Sequence, residues 1–205
     1  MKDSTAAVKP RWQQRLALVG LFVIFFAPIL AAWWMNVQSD YWRPSATINE
    51  GALVVPTRPV FAAGLTHLDG SGYDTGFFEN AWTLVLVDSS ACRDTACERQ
   101  LVEMRQVRLA LGKDMDRVQR LYATLAMPEP ARFAELQRVY PGLNIARVNP
   151  QWLTPFKLDV TGSGEAGGIY LVDPEGRLMM HYGENAEAKG ILKDLQRLLK
   201  ISKIG

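Results

Sequence analysis

The chain of 205 residues holds only two cysteines and two histidines, and that scarcity excludes several chemistries. Two cysteines cannot staple a small disulfide-dense scaffold. They are spaced Cys92-Arg-Asp-Thr-Ala-Cys97, so the Cys-x-x-Cys-His signature of covalent haem attachment is absent. The glycine-rich stretch 162–168, GSGEAGG, lacks the Lys-Ser/Thr pattern that completes a phosphate-binding loop. No internal repeat is visible. Beyond the first 35 residues there are 19 basic and 20 acidic side chains, a net charge near −1, which argues against nucleic acid as a partner.

What is present first is a long apolar run. Residues 16–35 read LALVGLFVIFFAPILAAWWM, 20 residues without a charge. At about 1.5 Å of rise each, a helix of that length reaches roughly 30 Å, the thickness of bilayer hydrocarbon. Pro28 removes one backbone hydrogen bond, which membrane helices tolerate, and Trp33, Trp34, Tyr41 and Trp42 suit an interfacial aromatic belt. A cleaved signal peptide is the competing reading, but its apolar core is usually about 7 to 15 residues long and ends in small residues rather than Trp-Trp-Met. Lys2, Lys9, Arg11 and Arg15 precede the run against a single Asp3. The positive-inside rule therefore leaves residues 1–15 as a cytoplasmic tail and carries everything after Met35 across. In a bacterium this predicts a single-pass inner-membrane protein with a periplasmic C-terminal domain, its cysteines on the oxidising side.

Residues 36–76 read as an extended linker or arm, with Pro44, Pro56 and Pro59, a short strand near 53–55 and a loop or hairpin over 64–76. Residues 77–205 form the domain proper, long enough to bury an ordinary core. Trp82 to Asp88, WTLVLVD, predicts a strand buried on both faces. Cys97, Leu101, Met104, Arg108 and Leu111 mark one face of a helix ending at Gly112. A second strand is expected over 117–125, a helix over 131–140 stopped by Pro141-Gly142, a third strand over 144–148 and a short helix over 151–158. The turn Asp173-Pro-Glu-Gly176 between two β-prone runs predicts a hairpin. Ala188, Ile191, Leu192, Leu195, Leu198 and Leu199 form the apolar stripe of a last helix. This order predicts an α/β three-layer sandwich, a sheet covered by helices on both faces.

The cysteines sit where the first strand gives way to the first helix of the domain. Near a helix N-terminus the Cys97 thiolate gains from the helix dipole, with Arg93 and Arg99 adding to the effect and Asp94 and Glu98 opposing it. Residues five apart do not share a helix face. A disulfide therefore requires Cys92 in the loop, folded back until the two α-carbons approach within about 7 Å. Three states stay open at this point: a structural disulfide, a redox or metal-binding pair, and free thiols.

Three passages, residues 82–111, 109–120 and Tyr170-Leu-Val-Asp-Pro-Glu-Gly-Arg-Leu178, resemble the Sco/SenC family of membrane-anchored, thioredoxin-like proteins that help assemble the copper centres of cytochrome oxidase. The stretch Gly112-Lys-Asp-Met-Asp-Arg-Val-Gln-Arg120 is similar to a closer group of proteobacterial membrane proteins linked with cytochrome oxidase genes. The resemblance implies a thioredoxin-like fold behind the N-terminal transmembrane helix, and an accessory or assembly role for a haem-copper oxidase. The implied partner is an oxidase subunit or another respiratory membrane protein, and the implied cofactor is copper, as Cu(I) or Cu(II). Cys92 and Cys97 would act as redox pair or as metal ligands, in a thiol-disulfide oxidoreductase or copper chaperone rather than a hydrolase or transferase. The alternative is a non-catalytic interaction module of the oxidase complex with a structural or vestigial cysteine pair.

Two features depart from the family pattern. Its copper site resembles Cys-x-x-x-Cys with a histidine in the loop before the Tyr-Leu-Val-Asp-Pro strand; here four residues separate the cysteines and the loop GSGEAGG has no histidine. Two thiolates still suit Cu(I), and an imidazole would help hold the oxidised metal. His181, across the hairpin from the expected position, is the substitute ligand, with His67 in the arm and the soft Met179 and Met180 as further candidates. A thioredoxin-type reductase also presents a cis-proline before this strand, and no proline occurs between Phe156 and Asp173. General disulfide exchange is therefore not expected.

Overall fold

A computed structural model describes residues 11–37, 49–88, 91–126, 128–157 and 168–202. The chain divides into two units, Met1–Thr47 and Ile48–Gly205. In the first, helix α1 (Arg11–Val37) contains Pro28 and has a span, Arg15–Met35, with a mean hydropathy of 2.5 and none of its residues buried. A helix apolar on all sides has no water-facing stripe, and this one is long enough to cross a bilayer. It suggests a single-pass membrane anchor.

The second unit is built on a six-stranded mixed sheet, ordered β1-β6-β5-β2-β3-β4. Strands β2 (Trp82–Asp88), β3 (Val118–Thr124) and β4 (Leu143–Arg147) run parallel, while β5 (Gly168–Val172), β6 (Arg177–Gly183) and β1 (Ala52–Pro59) are added antiparallel. β2 is central, and its uninterrupted apolar run is buried on both faces, as a covered strand requires. On one face pack α2 (Thr95–Ala110), α3 (Pro130–Val139) and α4 (Ala188–Ile201), through Leu101, Met104, Leu136, Ile191 and Leu195. The fold is thioredoxin-like, a mixed sheet with flanking helices.

The opposite face departs from the expected helical layer. It is covered by a short 3-10 helix, Pro150–Phe156, together with Phe78 and with Val60, Ala62 and Leu65 from the stretch read as linker or arm. The compact unit begins at Ile48, so from that residue onward the stretch read as linker or arm packs with the domain. The arm supplies edge strand β1 and then reaches the far edge of the sheet, where Thr66 bridges Arg147 and the Tyr73 hydroxyl donates to the Ile145 carbonyl at 2.9 Å. An irregular chain buries apolar residues at no fixed period, and so leaves no pattern to find in the sequence.

Candidate functional site: a disulfide at the end of the central strand

β2 ends at Asp88, Ser89 and Ser90 lie outside the described residues, and the chain then turns through Ala91 and Cys92 with φ of 58° and 55°. Left-handed backbone at two consecutive non-glycine residues costs energy and persists only where its surroundings hold it. Two side chains hold Cys92 and a third caps the helix that follows. Asp88 Oδ2 accepts the Cys92 N–H at 2.8 Å, Arg132 Nη2 donates to the Cys92 carbonyl at 3.1 Å, and Asp94, the N-cap of α2, accepts the Cys97 N–H at 2.7 Å. Cys92 and Cys97 are joined, with S–S 2.03 Å and Cα–Cα 5.3 Å. Of the three states left open by the sequence, the structure holds the disulfide.

Asp88 Oδ2 also accepts the Tyr122 hydroxyl at 2.7 Å. Burial, and then the charge of Asp88, push the Tyr122 phenol up from its ordinary value, which keeps it protonated and donating. The pair anchors the cysteine loop to the core from below.

Cys92 is 0% exposed and Cys97 3%, both packed within the cluster on the helical face. A surface cleft of about 530 Å³ nevertheless borders Cys92, lined by Arg93, Glu98, Pro128, Glu129 and Arg132 beside it. Its charges are paired: Arg132 with Glu98, and Arg93 with Glu129 at 3.8 Å. Arg99 turns away, donating to the Glu184 carbonyl at 2.8 Å and to Asn185 Oδ1 at 3.3 Å. The aid that sequence spacing offered Cys97 from Arg93 and Arg99 is thus directed elsewhere, while its place in the first turn of α2 stands.

His181 does not join the sulfurs. Its ring stacks on Tyr170, centroids 4.6 Å apart, and Tyr170 meets Phe156 edge-on in the cluster on the other face of the sheet. Gly168, which opens β5, packs so closely that a β-carbon there would lie 2.6 Å from His181 Nε2. His67 stacks on Tyr73 at 3.7 Å, in the hairpin at the β4 edge. Met180 is buried on the cysteine side and receives the Tyr182 hydroxyl at 3.6 Å, while Met179 is half-buried. The loop GSGEAGG lies outside the described residues except for Gly168. Among the described residues no three His, Cys, Asp or Glu side chains gather as metal ligands.

Asp88, Tyr122 and Arg132 are site residues that sequence reasoning missed. Asp94 three residues before Cys97 was a legible N-cap signal, and an acid ending an apolar strand four residues before Cys92 was a weaker one. Nothing local marked Arg132, 40 residues away from Cys92.

Residues 82–202 match the family described as transmembrane-like, thioredoxin-like, C-terminal domain. The chain belongs to that family. No curated protein matches it. Among solved structures it is similar to ScoI of Bradyrhizobium japonicum with copper bound, at 21% identity over 69% of this chain and 98% of that one, TM-score 0.51. The apo Sco1 of Thermus thermophilus shares 18% identity over 76% and 99%, with a TM-score of 0.57. BsSco, described as a Sco-family cytochrome c oxidase assembly protein with a disulfide switch, shares 13% over 74% and 100%, with a TM-score of 0.54. At these identities the likeness is one of fold.

Proposed function

We propose that this chain is a membrane-anchored accessory or assembly factor for a haem-copper cytochrome oxidase, its domain held on the periplasmic side of a bacterial inner membrane. On this reading the Cys92–Cys97 pair handles the thiol state of the oxidase's copper-site cysteines, or Cu(I) itself. The observation that carries it is a disulfide at the C-terminal end of the central strand of a Sco-like fold, with Cys92 beside an open cleft. The four N-terminal basic residues against Asp3 support the orientation, and copper bound to ScoI supports the cargo.

The reaction runs from the reduced pair. A Cys92 thiolate attacks one sulfur of the partner's disulfide, forming a mixed disulfide and releasing the other partner sulfur as thiolate. Cys97, its thiolate favoured by the α2 N-terminus, then attacks Cys92 Sγ and frees the second partner sulfur. Two electrons pass to the partner, and the disulfide seen here is the product, to be re-reduced by a dithiol of the same compartment. In the reduced state two thiolates suit Cu(I) as cargo; His181, on the opposite face, supplies no third donor to this step.

A trapping experiment tests the thiol route. Reduced full-length protein in detergent micelles is mixed with a peptide carrying the oxidase's two copper-site cysteines as a disulfide. Wild type should reduce the peptide, and Cys97→Ala should accumulate a mixed disulfide through Cys92. Neither reduction nor adduct, with no Cu(I) uptake by the reduced protein, removes the reading. One observation favours a second: both cysteines are buried, as a non-catalytic interaction module with a structural disulfide would have them. That module would be inert to the peptide, yet its deletion would still impair the oxidase.

A further inference from the structure

The Cys92 peptide is held at both ends by charged side chains: its N–H by Asp88 of β2 and its C=O by Arg132 of α3. The same Arg132 nitrogen also bonds Glu98, the residue after Cys97 on α2, and Nη1 bonds Glu135 Oε2 at 2.8 Å. One planar guanidinium therefore joins the loop carrying Cys92 to the helix carrying Cys97, beside the disulfide and separate from it. The Arg132 side chain is 27% exposed, and its two carboxylate partners fix the direction of the fork.

We propose that Arg132 is a positioning residue that clasps the two halves of the cysteine loop and so favours the disulfide over the dithiol; this rests on the redox reading of the pair. Cutting the S–S bond frees a loop whose Ala91 and Cys92 stand in left-handed backbone, and that loop relaxes unless other contacts retain it. A contact that favours the closed loop favours the bond that closes it, by linkage. Simple electrostatics runs the other way, because a cation beside sulfur stabilises thiolate and hence the dithiol. The two roles predict opposite signs.

The test equilibrates full-length protein in detergent micelles with anaerobic glutathione buffers, reading the dithiol fraction by alkylation and mass. In the reaction the Cys92–Cys97 bond breaks, and two glutathione thiols supply two electrons and two protons and leave joined as glutathione disulfide. Arg132→Met and Arg132→Lys should each shift the equilibrium about fivefold toward dithiol, about 20 mV for this two-electron couple. Lysine keeps the charge but lacks the planar, pre-organised fork that Glu98 and Glu135 hold in direction. Arg177→Met, which removes only an exposed ion pair with Glu175 on the hairpin at the other end of the sheet, should stay within about twofold of wild type, and the melting temperature of each oxidised variant reports its folding. An unchanged constant in both Arg132 variants, or a shift toward disulfide in Arg132→Met, overturns the clasp. This equilibrium involves neither copper nor an oxidase, so the clasp and the assembly reading fail separately.

Discussion

Asp194 Oδ2 accepts the backbone N–H of Gly51 at 3.0 Å, across 143 residues of sequence. The same oxygen takes the Glu50 N–H at 2.9 Å and the Tyr182 hydroxyl at 3.4 Å, and Lys193 pairs with Glu50 at 3.0 Å. Asp194 is buried on the inner face of α4. It fastens the point at which the chain enters the domain. Gly51 packs on the Tyr182 ring so closely that a β-carbon would lie 2.6 Å from it.

Asp194→Ala leaves two backbone donors without their acceptor and the Tyr182 phenol with only the weak acceptor Met180 Sδ. Each buried orphan costs about 1–3 kcal/mol, less where water reaches it, so a loss of about 3 kcal/mol is expected in denaturant unfolding. Limited proteolysis should then cut first near residues 49–51.

Stability should fall at alkaline pH through the tyrosines. Burial pushes the Tyr73 phenol up to about 12, and burial with a neighbouring carboxylate raises Tyr122 and Tyr182 as well. A folded pKa above the unfolded value of about 10 means the contribution is fully present below pH 10 and lost as pH rises through the folded pKa. Unfolding midpoints should therefore drop from about pH 10 upward, and Tyr73→Phe should make that drop smaller by about 1 kcal/mol at pH 11. An identical alkaline loss in Tyr73→Phe contradicts the assignment.

Arg120 is 2% exposed on β3, where Nη2 donates to the Pro141 carbonyl at 2.7 Å; Nε and Nη1 find no partner among the described residues. Burial first, then Arg108 and Arg105, hold this guanidinium down at about 10. A buried cation facing two like charges costs more than an apolar side chain of similar size. Arg120→Met should raise stability by about 1 kcal/mol, measured by thermal or denaturant melts.

His181→Ala should leave Cu(I) stoichiometry and affinity of the reduced protein unchanged within about twofold. Its stacking on Tyr170 is worth about 1 kcal/mol of stability, and that loss is the expected effect. A clear fall in Cu(I) affinity would mean the imidazole reaches the sulfurs.

The case of His181 shows where the sequence was legible and where it was not. The hairpin around Asp173–Gly176, the buried run of β2 and the stripe of α4 all follow from local pattern, and each appears with its ends within a residue or two. Within the hairpin, however, Leu171 pairs with Met180 while Val172 pairs with Leu178, so Met179 is an extra residue. This bulge puts Leu178 and Met180 on opposite faces, where simple alternation would put them together, and seats His181 away from the disulfide. A register shift of that kind has no signature in composition. The cysteine pair was legible from its place at a strand–helix junction, whereas Asp88 with Tyr122, and Arg132 with Glu98, are contacts made only by the folded chain.

The central claim is that the two sulfurs serve the oxidase. The most direct measurement is cytochrome oxidase activity in cells lacking this chain, complemented with full-length wild type or with the Cys92→Ser, Cys97→Ser double variant at equal membrane abundance. The account predicts that the double variant falls to the level of the deletion. Activity restored to the wild-type level would contradict it and leave the interaction module standing.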